Sequence, residues 1–215
     1  EMTSSLVGSE MCIRDSLAVD PHLSESRLIE CLSYDELTLL SYYGAGVLHY
    51  LTTRPLILKA IPVVIKNTFN RNAQGTVISY EKRKGFKGVA VCELKMYEIE
   101  GVKYDEIRDL RGRYKIFDGT SKIYVLSDDK GFAKRLIEAG KVTRINIRDV
   151  AVAAAAGCAQ REYAEVIIGL TRNKIPIYAA ESMSESFLVV TGRVFKEQTA
   201  RIIYETLDGG GKREK

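Results

Sequence analysis

The chain has 215 residues, 46% of them apolar and 28% charged, with 32 basic against 28 acidic side chains for a net charge of +4. That length holds one large domain or two small ones and buries roughly 70% of the surface its unfolded form would expose. The composition excludes a disordered tail, a collagen-like rod and a coiled coil, and the longest near-continuous apolar run, 150–156, is too short to span a bilayer.

The mild basic excess points to no nucleic-acid partner. Cys12, Cys31, Cys92 and Cys158 contain no C-x-x-C pair, and His22 and His49 stand far apart. Neither a metal site nor a disulfide framework is therefore expected, and reduced thiols in a cytoplasmic protein are the reading that follows.

Residues 1–16 (EMTSSLVGSEMCIRDS) show neither helical nor strand periodicity and lack the parts of a secretory signal. Residues 6–16 resemble translated adapter sequence, and 1–16 are set aside as a non-native or disordered segment, with the native gene expected to extend further upstream. A first unit is expected over 17–80. Ser33-Tyr34-Asp35-Glu36 is a capping box, and Leu37, Leu40, Gly44, Val47 and Leu48 fall on one face behind it, predicting a helix of about four turns. A short helix over 53–60, a strand over 61–65, turn chemistry over 67–75 and a strand over 76–79 follow. Residues 81–87 (EKRKGFK) are charged and aperiodic, and predict a solvated linker; their basic side chains have no aromatic ladder beside them that would suit nucleic acid.

Beyond the linker the order strand, helix, strand, strand, helix occurs twice, at an interval of about sixty residues, the mark of an internal duplication. The first copy is expected over 88–147 and the second over 148–208, with a disordered tail at 209–215. In the second copy Tyr163, Val166, Ile167 and Leu170 form one apolar stripe, and Phe195, Thr199, Ile202, Ile203 and Thr206 another. Two such helices on one face of a small antiparallel sheet make an α+β, ferredoxin-like βαββα module.

Residues 33–79 carry a specific resemblance. Ser33-Tyr34-Asp35-Glu36, Gly44-Ala45, Val47-Leu48-His49, Ile61-Pro62-Val63, Ile65-Lys66-Asn67-Thr68-Phe69-Asn70 and Gly75-Thr76 follow, in order, the end of the catalytic domain of aspartate kinases, members of the amino-acid kinase family. The paired units downstream are similar to the two ACT modules of those enzymes. The resemblance implies an α/β kinase remnant followed by two ACT-type modules. It also implies ATP-dependent phosphorylation of the side-chain carboxylate of L-aspartate, the entry to lysine, threonine and methionine synthesis, with magnesium accompanying ATP as co-substrate. Such transfer relies on positioned donors and cations rather than covalent chemistry. The Lys-Phe-Gly-Gly segment that supplies most of them in the family has no counterpart here, so this chain alone is expected to be a fragment without catalytic residues of its own.

On the same resemblance, Asp20, Pro21 and His22 match a loop bordering ATP, with His22 where the family has Arg. Gly46 and Val47 match a segment whose Lys lies beside the nucleotide, with Gly46 in the place of that Lys. Losing both cations weakens nucleotide binding. His49 and Lys66 are better explained as packing and solvated residues than as catalytic ones, and Asp35 and Glu36 as capping residues. The resemblance further implies an end-product amino acid, lysine or threonine, bound at a strand–helix turn by backbone amides and by side chains of the next hairpin. In the second copy those residues are Gly157, Gln160, Arg161, Ser182, Ser184 and Glu185. A homodimer through the ACT modules is a further expectation. The alternative is a non-catalytic amino-acid-sensing regulator that keeps the kinase remnant as a scaffold.

Overall fold

The computed structural model describes residues 27–45, 55, 57–59, 61–66, 74–103, 107, 114–119, 121–138 and 142–210. The segment 1–16, the nucleotide-loop residues Asp20, Pro21, His22, Gly46 and Val47, and His49 all lie outside the described residues.

The first unit is a small sheet with a helix on one side. Strand β1 (Cys31–Ser33) leads directly into helix α1 (Tyr34–Tyr42), and β2 (Val63–Ile65) and β3 (Thr76–Ser79) follow. The order is β1-β3-β2, with β1 parallel and β2 antiparallel to β3. The expected capping box is formed: Ser33 Oγ accepts from the Glu36 amide at 3.2 Å, and Glu36 Oε2 accepts from the Ser33 amide at 2.6 Å. The helix is shorter than the periodicity predicts. It stops at Tyr42, and Gly44, at φ +108°, turns the chain so closely over Val91 and Cys92 that a side chain there would meet the Val91 carbonyl oxygen. Leu37 and Leu40 are buried on the face that α1 turns inward.

The rest is one six-stranded antiparallel sheet of β4 (Gly88–Glu100), β5 (Tyr114–Asp118), β6 (Ile123–Ser127), β7 (Arg144–Ala156), β8 (Ile177–Ser182) and β9 (Ser186–Gly192). Helices α2 (Phe132–Glu138), α3 (Gln160–Arg172) and α4 (Lys196–Gly210) complete it. The spatial order β5-β6-β4-β7-β9-β8 is symmetric about its middle, as a duplication requires. The two copies are nonetheless interlocked rather than consecutive. β4 and β7 pair along their whole length, from Gly88↔Ala156 to Glu100↔Arg144; β6 joins β4 only at residues 95–99, and β9 joins β7 only at residues 150–156. Each long strand therefore opens one module and closes the other, giving two ferredoxin-like four-stranded sheets that share their central pair.

This arrangement corrects four boundaries. β7 begins at Arg144 and runs through the expected division at 147/148, because Ile145 and Ile147 continue its alternation. The linker 81–87 is exposed only as far as Gly85: Phe86 and Lys87 are buried, and the Lys87 amide donates to the Ala156 carbonyl at 2.9 Å. Helix α4 continues through Asp208 to Gly210, and Asp208 Oδ1 is held at 2.7 Å by Arg27 Nε. Strand β8 lies two residues later than the strand the sequence pattern places at 175–180, and it carries a bulge between Ile177 and Ala179.

The core falls into two clusters. Tyr97, Ile99, Ile107, Ile123, Val125, Phe132 and Leu136 make the core of the first module. The larger cluster unites the first unit (Leu32, Leu37, Leu40, Ile78) with the second module (Val152, Ala154, Val166, Leu170, Leu188, Ile203). Residues 150–156 (VAVAAAA) are wholly buried because both faces of the strand are covered. Gly44, just past the end of α1, stands over Cys92, the partner of Val152 on one face; on the other, Tyr163 of α3 stacks at 5.3 Å on Phe187, the partner of Ala155. Alanine makes that double approach possible, since a larger side chain would hold one layer off. The sheet also curls, so that its edge strands are bridged by Lys115 Nζ and Glu181 Oε2 at 2.7 Å.

Candidate functional site

The turn from β7 into α3 meets the β8–β9 hairpin through backbone hydrogen bonds. Gly157, at φ +76°, and Cys158 both donate their amides to the Glu185 carbonyl, at 2.8 and 3.0 Å, and Met183 donates to Ser186 at 2.8 Å to close the hairpin. The Gly157 amide is thus engaged by the hairpin itself. A Cβ at Gly157 would run into the Gly85 carbonyl oxygen, so the turn is also pressed against the segment leading into β4.

The first turn of α3 is different. Ala159 occupies its cap position and has no side-chain oxygen to offer, so the Gln160 and Arg161 amides begin the helix without a side-chain cap. The Ala159 amide donates to Glu162 Oε2 at 2.6 Å. The Arg161 guanidinium lies outward, 3.2 Å from Glu165. Ser182 Oγ reaches only the Met183 carbonyl, at 3.5 Å, and Ser184 is exposed beside Glu185 on the hairpin tip. The first turn of α3 therefore begins with amides that no side chain of its cap residue engages, a feature that suits an anionic group.

Sequence reasoning missed the charge that completes this site. Lys82, read as part of a solvated connector, stands 3.4 Å from Glu185 Oε2 and 3.3 Å from Asp35 Oδ2 in the first turn of α1. Those two carboxylates, Asp35 first, raise the Lys82 ammonium above its ordinary value. Its position in a basic run is the only signal the sequence offers, and that signal does not say which basic residue meets these carboxylates. Cys158 is buried beneath the turn. Burial, then the negative charges of Glu162 and Glu36, push its thiol up, so it acts as a small apolar residue and not as a nucleophile.

The first module repeats the geometry with other chemistry. The Thr143 amide donates to the Glu100 carbonyl at 3.0 Å, as Lys87 does to Ala156, and Gly101 at φ +84° is pressed on Thr143 as Gly157 is on Gly85. Beside it Glu98, Glu100, Lys122, Arg144 and Asn146 line a cavity of about 80 Å³. Lys122 pairs with Glu98 and lies 3.0 Å from Glu100, and Asn146 donates to Glu98 at 3.2 Å, which hold the Glu98 carboxyl below its usual range. Lys122, Glu98, Glu100 and Asn146 thus engage one another.

Among the described residues no group of three or more His, Cys, Asp or Glu side chains is placed to hold a metal ion, and no helix is long and apolar enough to cross a membrane. Lys66 is exposed, as expected.

No family profile matches the chain. The bifunctional aspartokinase/homoserine dehydrogenase of Daucus carota is 45% identical over 65 residues, 30% of this chain and 7% of that protein. The fold is that of the aspartate kinase of Clostridium acetobutylicum, with a TM-score of 0.78 at 22% identity over 91% of this chain and 52% of that one. It is also that of Escherichia coli aspartokinase III, solved with aspartate and ADP (TM-score 0.77, 16% identity, 91% of this chain and 51% of that chain) and with lysine and aspartate (TM-score 0.72, 15% identity, 91% of this chain and 50% of that chain). The chain thus spans about half the length of these solved enzymes and far less of the curated relative.

Proposed function

From the premise that the chain belongs with the aspartate kinases, as a C-terminal part carrying their ACT-type modules, we propose that it senses an amino acid for an enzyme that phosphorylates L-aspartate with ATP. Lysine or threonine is the effector, and the phosphoryl-transfer residues lie in the part of the enzyme that this chain does not match. The observation that carries this reading is the common core of α1, β1 and β3 with the second module: the kinase-like unit rests directly on the module that bears the candidate effector turn.

In this reading the effector carboxylate sits at the Gln160 and Arg161 amides and its ammonium at Glu185, with the Ser182 and Ser184 hydroxyls alongside. The ammonium competes with Lys82 for Glu185. Binding then leaves Lys82 to Asp35 alone, which changes the electrostatics at the first turn of α1. A ligand can bias that contact only by its different affinity for the two arrangements. The nucleotide-loop positions Asp20, Pro21, His22, Gly46 and Val47 lie outside the described residues, so no step is assigned to ATP or magnesium through them.

A thermal-shift titration tests the reading. Lysine or threonine at millimolar concentration raises the melting temperature by several degrees at about 100 times its dissociation constant, and Glu185→Gln abolishes that rise while leaving the unliganded transition in place. No rise with either amino acid overturns the effector assignment. ATP- and aspartate-dependent phosphoryl transfer by the purified chain alone would overturn the placing of catalysis elsewhere.

A further inference from the structure

Two tyrosines stand side by side where the parallel strands of the small sheet end. Ser33 of β1 and Ser79 of β3 form the last register pair, and the next residue after each is a tyrosine. Tyr34 opens α1 and is buried, whereas Tyr80 leads into the linker and is 55% exposed. Their rings meet edge to face, with 5.2 Å between centroids and 61° between planes. Each hydroxyl donates to a backbone carbonyl ahead of β2, Tyr34 to Ile61 and Tyr80 to Ile57. One step further out, Asp35, the neighbour of Tyr34, pairs with Lys82, which follows closely on Tyr80. Lys82 also reaches Glu185 on the β8–β9 hairpin.

We infer that Tyr80 is a positioning residue that carries the state of Lys82 to the Ile57 carbonyl, so that whatever occupies Glu185 sets how firmly the chain is held ahead of β2. The local geometry favours that direction of transfer. Ser79 Oγ accepts from the Glu81 amide at 3.2 Å, a tight turn that ties Lys82 to Tyr80. On the other side Gly85, at φ +97° with open space where a side chain would stand, lets the linker give. Tyr34 is the fixed half of the pair, buried at the start of a capped helix; the Tyr80 hydroxyl, on an exposed side chain, has water as its competitor. Lys82 is shared between Asp35 and Glu185, and once Glu185 is taken it pairs with Asp35 alone. Transmission between sites needs a two-state element of this kind. The inference rests on the effector reading for what drives Lys82, but the contacts are tested without any ligand.

The chain is isotopically labelled at its isoleucine carbonyls, and the Ile57 and Ile61 resonances, assigned through Ile57→Val and Ile61→Val, are followed by NMR. Tyr80→Phe removes the hydroxyl and marks where the Ile57 resonance lies without its hydrogen bond. Lys82→Ala is expected to move Ile57 toward that position by about half of the full change or more. It should leave Ile61 in place and have no further effect beside Tyr80→Phe. Should Tyr80→Phe fail to fold, the response of Ile57 against Ile61 to Lys82→Ala decides. An Ile57 resonance indifferent to Lys82→Ala, equal movement of Ile57 and Ile61, or a Lys82→Ala effect that persists in full beside Tyr80→Phe would each overturn the inference. An amino acid that raises the melting temperature should move Ile57 in the same way, and one that raises it without moving Ile57 overturns the relay. If neither lysine nor threonine raises it, the effector reading fails while the variants still decide the relay.

Discussion

The two modules share a topology and a pair of strands, yet they bury those strands in opposite ways. Where β7 belongs to the second module it reads VAVAAAA and no residue is exposed; where it closes the first it reads RINIRD and most side chains meet solvent. The difference lies in what each half receives. Alanine at successive positions lets α1 and the α3–α4 pair lie on opposite faces of one strand, whereas charged residues leave the outer face of the first module to ion pairs and water. Duplication supplied two equivalent surfaces, and side-chain size and charge chose which one carries the kinase-like unit.

Substitutions at matched positions put this contrast under strain. The largest effect is expected for Ala154, which is wholly buried. Ala154→Leu should cost about 1–3 kcal/mol by overpacking, whereas Ile147→Leu, at a half-exposed site on the same strand, should stay within about 0.5 kcal/mol. Urea unfolding of both variants checks this, and equal costs would break the contrast.

Next come the paired glycines. Both have positive φ, but a methyl group at Gly157 meets a backbone carbonyl and one at Gly101 meets the Thr143 side chain first. Gly157→Ala should therefore destabilise by more than Gly101→Ala, each by upwards of about 1 kcal/mol. Ser33→Ala removes the cap of the helix that bridges to the second module and should cost about 1 kcal/mol.

The smallest effect is electrostatic. Lys122→Ala removes two partly exposed ion pairs and should change stability near neutral pH least of these variants. Its signature is the acid limb. The folded Glu98 carboxyl lies below its usual range, so its contribution is present above the unfolded pKa and disappears as pH falls through the folded one. In the variant the folded value returns toward the unfolded one, so this acid-dependent loss should be smaller. Lys122 itself is raised by Glu98 and Glu100, so its contribution should fade only above about pH 10. Melting curves between pH 3 and 5, for which about 4 is the ordinary carboxylate value, check the first of these.

What was legible in the sequence was local. The Ser33–Glu36 box and the Val166–Leu170 stripe depend on neighbours within a few residues, and each stands where its pattern put it. The sharing of β4 and β7 was not legible, because it pairs residues 44 to 68 positions apart and a strand's alternation does not name its partner. Ile145 and Ile147 did carry the alternation that extends β7, beneath a charge pattern that drew the boundary too late. Glu185 and Gly157 were found through the family resemblance. Lys82 was not, since only the fold brings an exposed basic run between α1 and the hairpin.

Native-state hydrogen exchange of the unliganded chain tests the shared core most directly. The account predicts that the amides of α1 and of residues 150–156 open together, in the same high-energy event, while those of β5 and β6 open at lower free energy. Exchange of α1 in an event of its own, with residues 150–156 still protected, would contradict it.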